Sequence, residues 1–135
     1  YVHDNRIGVL VEVNCETDFV ARNEKFTDLV KELTLHIAAS APEYVTADEI
    51  PADVREKVAA EFTEKVKNEG KPDNIVPNIV DGMLKKYFAE RCLLDQPFVK
   101  NPDQTVGDLV KEANAILGEN IVVRRMSRMQ LGEVA

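Results

Sequence analysis

The spacing of apolar residues changes early in this chain from every second position to every third or fourth, which constrains the fold more than any other feature. Alternating residues predict a strand over 7–14. Leu10 is the apolar exception on the other face and indicates that this face is partly covered. A helix is predicted to begin near Asn23 and Glu24 and to stop at Pro42. The two apolar sets are Ile7, Val9, Val11 and Val13 in the strand, and Phe26, Leu29, Val30, Leu33 and Ile37 in the helix.

Two further helices follow, separated by a clear break. The first is predicted to open at Pro51 and run toward Asn68, with apolar residues every four positions and a charged surface. A second stripe, with Pro77 in the first turn, predicts the next helix, and the break over 68–72 separates the two. Together they are expected to form a projecting helical hairpin, inserted at about 51–92. The two stripes are Val54, Val58, Phe62 and Val66, then Val76, Ile79, Val80, Met83, Leu84, Tyr87 and Phe88.

The remaining segments predict strands on both sides of the helices. Residues 93–100 are expected to be extended and interrupted by Pro97, and Thr105 with Asp108 predicts the capped start of a helix that ends at Gly118. A final strand is expected over about 120–131, and residues 1–2 predict a short strand before a turn at 4–5. The class is therefore α+β, a small antiparallel sheet packed against helices in a single domain over 1–135. The inner face of the last helix is predicted to be Leu109, Val110, Ala113, Ile116 and Leu117.

The charge of the chain limits its partners. With 24 acidic and 17 basic residues the net charge is −7, whereas nucleic-acid binders usually carry a basic stripe, so no direct DNA or RNA binding is expected. The local basic cluster of Arg124, Arg125 and Arg128 is interpreted as a solvated face. No apolar run approaches the roughly 20 residues of a membrane span, and no membrane partner is expected. The chain begins at Tyr1 without Met, as expected of a fragment or a processed product.

The residues that usually carry catalysis or bind metals are sparse. Cys15 and Cys92 belong to no CxxC pair and are predicted to be reduced thiols, with a disulfide or a dimer cross-link left open. His36 lies near an apolar stripe and is expected to have a helical or core role, while His3 could meet a carboxylate. No metal-binding motif is present, so no metal site is predicted.

The glycines and carboxylates are equally uninformative about catalysis. The six glycines are scattered and form no phosphate-binding loop, so no nucleotide or other cofactor is expected. Glu12, Glu16 and Asp18 are close in sequence, but a polar strand end explains them better than an acid/base pair.

By elimination, the run Thr-Asp-Phe-Val-Ala-Arg-Asn at 17–23 is the main candidate for function. It lies where the first strand gives way to a helix. Phe19 is interpreted in two ways, which stay open at this point. It is either a staple packed in the core or an exposed aromatic anchor beside Asp18, as at an interface hot spot.

Three separated segments of the chain resemble motifs of the translation elongation factor Ts family. They are GVLVEVNCETDFVARN at 8–23, LLDQPFV at 93–99 and TVGDL at 105–109. The segments occur in the order of the family, and the resemblance covers essentially the whole chain. It implies the core, dimerisation-type domain of the short form of this factor.

The resemblance also implies a function, a guanine-nucleotide exchange factor that binds elongation factor Tu and promotes GDP release. In the family the Thr-Asp-Phe tip enters the GTPase domain beside its magnesium and phosphate site, so Phe19 would be the wedge and Asp18 its polar partner. The implied partner-binding residues are Thr17, Asp18, Phe19, Val20, Ala21, Arg22 and Asn23. The main alternative is a Tu-binding or ribosome-associated scaffold without exchange activity, and a third interpretation is a small acid/base hydrolase using Glu12, Asp18 and His3.

Other expectations follow from the same resemblance. Family members usually begin with a small three-helix domain and a linker, which also contact Tu and which this sequence is expected to lack, so a lower exchange activity is expected of it. The short form is similar to proteins that pair as homodimers, and Leu10 and the final strand are the expected contacts. The expected compartment is the bacterial cytoplasm or the interior of a plastid or mitochondrion.

Overall fold

The computed structural model describes residues 1–134, and it confirms the α+β class. A three-stranded antiparallel sheet and a two-stranded one are combined with five α-helices. The strands are β1 (Val2–His3), β2 (Ile7–Asn14), β3 (Pro97–Phe98), β4 (Asn101–Thr105) and β5 (Val122–Gln130). The helices are α1 (Asp18–Ala21), α2 (Glu24–Ser40), α3 (Ala52–Asn68), α4 (Val76–Ala89) and α5 (Val106–Leu117), with short 3₁₀ turns at Ala47–Glu49 and Leu93–Asp95.

The main sheet has the strand order β1-β2-β5, with both neighbouring pairs antiparallel. The turn between β1 and β2 places Asp4 and Asn5 at positive φ (49° and 57°), a conformation that these two residue types tolerate well. Leu10 is paired with Ser127, and the register shifts between Glu12 and Val13. This irregularity re-aims the end of β2, the part of the strand that leads into α1.

The core lies between the inner face of this sheet and helices α2 and α5. The predicted stripe of α2 is confirmed, because Phe26, Leu29, Leu33 and Ile37 are buried and only Val30 is half-buried. The ends of α2 also follow local signals. Asn23 accepts a hydrogen bond from the Lys25 backbone N–H at 2.8 Å, and the helix ends before Pro42 with Ala41 in the left-handed region. The other buried residues of this core include Val9, Val20, Val45, Leu93, Phe98, Val106, Val110, Ile121 and Val123.

Helices α3 and α4 form the predicted hairpin. Val66 near the end of α3 packs with Val76 and Val80 at the start of α4, whereas Val58 packs with Phe88 at the other end, so the helices are antiparallel. These apolar clusters are separate from the main core. The hairpin therefore has its own packing.

The segment after the hairpin differs from the prediction of an extended run over 93–100. Leu93–Asp95 forms a 3₁₀ turn, with backbone hydrogen bonds from Asp95 and Gln96 to the Cys92 carbonyl, and only Pro97–Phe98 is a strand. Its partner β4 was not predicted. The sequence of β4, Asn-Pro-Asp-Gln-Thr, has no apolar alternation, so nothing local marks it as a strand.

Three predicted side-chain environments are also wrong. Leu10 is 76% exposed, so the outer face of β2 is uncovered at this position. Ile116 is 54% exposed at the edge of α5 instead of facing inward. Arg128 is half-buried, because its guanidinium donates to the Ala38 carbonyl at 2.9 Å and contacts Glu133 at 3.0 Å. Arg124 and Arg125 are exposed, as predicted.

His36 has the predicted core role. Its ring is completely buried, with Nε2 at 2.9 Å from Gln96 Oε1 and Nδ1 accepting the Val99 backbone N–H at 3.2 Å. Because Nδ1 accepts, Nε2 carries the proton and donates to Gln96. This pair joins α2 to the segment that leads into β3.

Candidate functional site

The run at 17–23 forms a tip between the end of β2 and the start of α2. Six of its seven residues are exposed and Val20 alone is buried. The short helix α1 was not predicted, although Thr17 is a good cap: its hydroxyl accepts the Val20 backbone N–H at 3.4 Å. Arg22 ends α1, and Asn23 then caps α2. Two successive caps thus bring the chain out of the sheet and into the long helix.

Phe19 points away from the body of the protein. Its side chain is 88% exposed, whereas that of the neighbouring Val20 is 8% exposed and packs in the main core. Of the two interpretations of Phe19, the staple packed in the core is therefore wrong. The residue of the tip that packs in the core is Val20. Asp18 and Arg22 lie exposed on either side of this pair.

A carboxylate from a distant part of the chain holds the base of the tip. Glu119 Oε1 accepts the backbone N–H groups of Glu16 and Thr17, each at 3.0 Å, and Oε2 accepts the Thr17 hydroxyl at 2.5 Å. The Thr17 hydroxyl, followed by the two backbone donors, lowers the pKa of Glu119 below its ordinary value. Glu119 is therefore ionised at neutral pH and satisfies donors at the start of α1.

Glu16 makes the reciprocal contact. Its carboxylate accepts the backbone N–H of Asn120 at 3.1 Å, so the segments 16–17 and 119–120 are joined in both directions. Gly118, at φ 69°, ends α5 in the left-handed region and turns the chain toward the tip. Sequence reasoning did not find Glu119 or Asn120 as site residues. No local signal reveals them, because about 100 residues separate the two segments.

Two of the three carboxylates near the tip, Glu12 and Glu16, have structural partners. Glu12 accepts from Asn14 at 3.1 Å and from Arg125 at 3.0 Å, and these two hydrogen bonds lower its pKa. Glu16 accepts instead from Asn120, and Asp18 lies exposed on α1, so the three carboxylates have three different environments.

Within residues 1–134, no cluster of three or more His, Cys, Asp or Glu side chains could hold a metal ion. Cys15 and Cys92 are free thiols, and Cys15 donates to the Thr17 carbonyl at 3.3 Å. Burial is the main cause that raises the pKa of Cys92, which keeps this thiol protonated at neutral pH. The helices of the described chain are all too short or too polar to cross a membrane.

Comparison with known proteins identifies the family. Residues 1–133 match the family model of elongation factor Ts. Elongation factor Ts from Alkaliphilus metalliredigens is 53% identical over 133 residues, and that from Acetivibrio thermocellus is 53% identical over 134 residues. Each alignment covers 98% of this chain but 62% of the relative. The chain belongs to the elongation factor Ts family and spans about three fifths of the length of these relatives.

Proposed function

We propose that this chain is the core domain of a guanine-nucleotide exchange factor of translation elongation. It binds elongation factor Tu and promotes GDP release by inserting its tip beside the magnesium and phosphate site. The observation that carries the proposal is the exposure of Phe19 on a tip whose backbone is held at both ends. The proposed compartment is the one in which Tu works, the bacterial cytoplasm or the interior of a plastid or mitochondrion.

The tip has the properties of an interface anchor. Burying an exposed phenylalanine side chain contributes about 2 to 3 kcal/mol to association. The capped helix α1 and the buried Val20 order the backbone around Phe19 before the partner arrives. Less conformational entropy is then lost on binding, so more of that contribution is available.

Such a tip can release GDP without touching it. If the tip binds better to a Tu conformation with weaker magnesium and phosphate contacts, it shifts Tu toward that conformation. The coupling is reciprocal, so GDP and the tip each weaken the binding of the other. In this proposal Phe19 is the wedge and Asp18 supplies an exposed carboxylate beside it, while Thr17, Val20 and Asn23 hold the backbone.

The test measures the release of fluorescent GDP from purified Tu as a function of the concentration of this chain. Phe19→Ala is expected to lower the exchange efficiency at least about 30-fold, the equivalent of a hot-spot loss of about 2 kcal/mol. Ile75→Ala is the matched control, since Ile75 is an exposed apolar residue just before α4. If the wild-type chain binds Tu without accelerating release, it is a scaffold and the exchange proposal fails.

A homodimer is the second partner proposal, supported by the outer face of the main sheet. Met129 is paired with Gly8, and Leu10 lies two residues further along the same face of β2. Leu10 and Met129 are 76% and 75% exposed, and the Glu12–Arg125 ion pair lies beside them. An apolar face of this kind on a sheet suits a second copy of the chain.

A further inference from the structure

We propose that Glu119 is a positioning residue for the tip and sets the direction in which Phe19 is presented to the partner. The inference rests on the proposed exchange function and adds to it a residue from the opposite end of the chain. Glu119 follows the glycine that ends α5, whereas the tip follows β2. The contact between them binds Glu119 to Glu16 and Thr17, the residues at the start of the tip.

Phe19 needs such a support because little else orients it. A side chain that is 88% exposed has almost no packing of its own, so its direction depends on the backbone of α1. This helix has only four residues, far fewer than an isolated helix needs to be stable. Its conformation must therefore come from contacts with the rest of the protein.

Two contacts supply that support, one on each side of Phe19. On the C-terminal side Val20 is packed in the core. On the N-terminal side Glu119 accepts three hydrogen bonds from Glu16 and Thr17, and Thr17 is the cap of α1. Removing the carboxylate leaves these donors to water and frees the cap residue, so α1 can rotate about Val20.

The Glu16–Asn120 bond makes the contact reciprocal but does not replace Glu119. The Glu16 carboxylate accepts only one backbone N–H, that of Asn120. The backbone N–H of Glu16 itself donates to Glu119. Because the whole contact lies near the surface, Glu119 is expected to add little to global stability. Removing Glu119 should instead loosen the backbone of the tip and lower the exchange activity. A residue with a purely structural role would lower the global stability instead.

The first experiment compares Glu119→Ala with Glu64→Ala, which removes an exposed carboxylate from α3. Both proteins are titrated into fluorescent GDP bound to Tu. Glu119→Ala should lower the exchange efficiency by about tenfold or more, since small misplacements of an acting group have effects of this size. Its melting temperature should stay close to that of Glu64→Ala. Glu119→Gln keeps the size of the side chain and one acceptor oxygen. It should fold, and its exchange efficiency should fall less than that of Glu119→Ala.

Two further measurements separate positioning from other roles. In Glu119→Ala, the backbone amides of Glu16 and Thr17 should exchange with deuterium faster, while those of α2 should be unchanged. In a double-mutant cycle, Glu119→Ala should have no further effect on exchange once Phe19 is alanine, because a positioning residue acts only through the group that it positions.

The outcomes distinguish this inference from the proposed function. If Phe19→Ala leaves GDP release unchanged, the proposed function itself fails. If Phe19→Ala slows release but Glu119→Ala does not, the proposed function stands and the positioning role is wrong. An equal loss from Glu119→Ala in the wild-type and Phe19→Ala backgrounds would also overturn it, since Glu119 would then act independently of Phe19.

Discussion

Phe19 and Val20 are consecutive residues of one short helix with opposite environments. Phe19 is 88% exposed and Val20 is 8% exposed. Successive residues of a helix point about 100° apart, so a helix at the surface can bury one and present the next. In this pair the smaller side chain anchors the tip in the core and the larger one is left exposed to solvent.

The first prediction uses this pair to separate binding from folding. Phe19→Ala should leave the free energy of unfolding within about 0.5 kcal/mol of wild type, as for an ordinary surface substitution. Val20→Ala should lower it by roughly 1 to 3 kcal/mol, because it removes buried methyl groups from the core. Urea denaturation measures both. A loss of more than about 2 kcal/mol in Phe19→Ala would mean that Phe19 contributes to the core.

The second prediction concerns the proposed homodimer. Leu10→Glu places a charge on the outer face of the sheet and should shift the chain to monomers, with little effect on folding because Leu10 is 76% exposed. Ile116→Glu, on α5, introduces the same charge elsewhere and should leave the association unchanged. Sedimentation velocity over a range of concentrations measures both. A wild-type chain that is monomeric throughout, or a dimer that survives Leu10→Glu, would contradict the proposed contact.

The third prediction compares two helical glycines. A Cβ on Gly107 would lie 2.9 Å from the Leu94 backbone carbonyl, so Gly107→Ala must displace backbone and should destabilise the protein by roughly 1 to 3 kcal/mol. A Cβ on Gly82 in α4 would meet nothing within 4 Å, and Gly82→Ala should stabilise by about 0.5 to 1 kcal/mol through helix propensity. Thermal or urea unfolding of the two variants should give shifts of opposite sign. Equal shifts would show that α5 does not lie against Leu94.

The fourth prediction is a pH dependence that comes from His36. Burial lowers the pKa of this ring below its ordinary 6.5 in the folded protein, with the Gln96 hydrogen bond opposing the shift. As the pH falls below 6.5, the unfolded state therefore binds a proton before the folded state does, and the unfolding free energy decreases. The stability present above the unfolded pKa is lost as the pH falls toward the folded value.

Urea denaturation between about pH 8 and pH 5 measures this slope. His36→Gln should flatten it, whatever the variant does to the stability at neutral pH. Asn78→Ala is the control and should keep the slope, because it removes an exposed residue of α4 that carries no titratable group. An unchanged slope in His36→Gln would assign the effect to another group. The carboxylates whose pKa values are lowered, such as Glu119 and Asp108, affect the unfolding free energy at a more acidic pH than His36 does.

Elements with local signals could be predicted from the sequence alone. The alternating residues of β2, the Asn23 cap and the Gly118 stop each lie within the segment that they define. Thr105 and Asp108 form the predicted capping box, with backbone and side-chain bonds in both directions at 3.1 Å. Such features depend on neighbours along the chain, so a single sequence contains the information that they need.

The features that were predicted wrongly depend on contacts between segments that are distant in sequence. Strand β4 has no apolar pattern, and it forms because β3 lies next to it. Arg128 was assigned to solvent, but a carbonyl at the end of α2 accepts its guanidinium. Ile116 fits the apolar stripe of α5, yet it lies at the edge of the helix that the core does not reach. In each case an element distant in sequence decides the environment.

The candidate site divides in the same way. The run 17–23, its strand-to-helix position and its resemblance to the elongation factor Ts family are all evident from the sequence. It left the direction of Phe19 open, because a staple and an exposed anchor have the same local pattern. That direction follows from tertiary packing, since the core accepts Val20 and the carboxylate of Glu119, from a distant part of the chain, binds the backbone at the start of the tip. Contacts of that kind depend on how the elements pack, which local propensity does not specify.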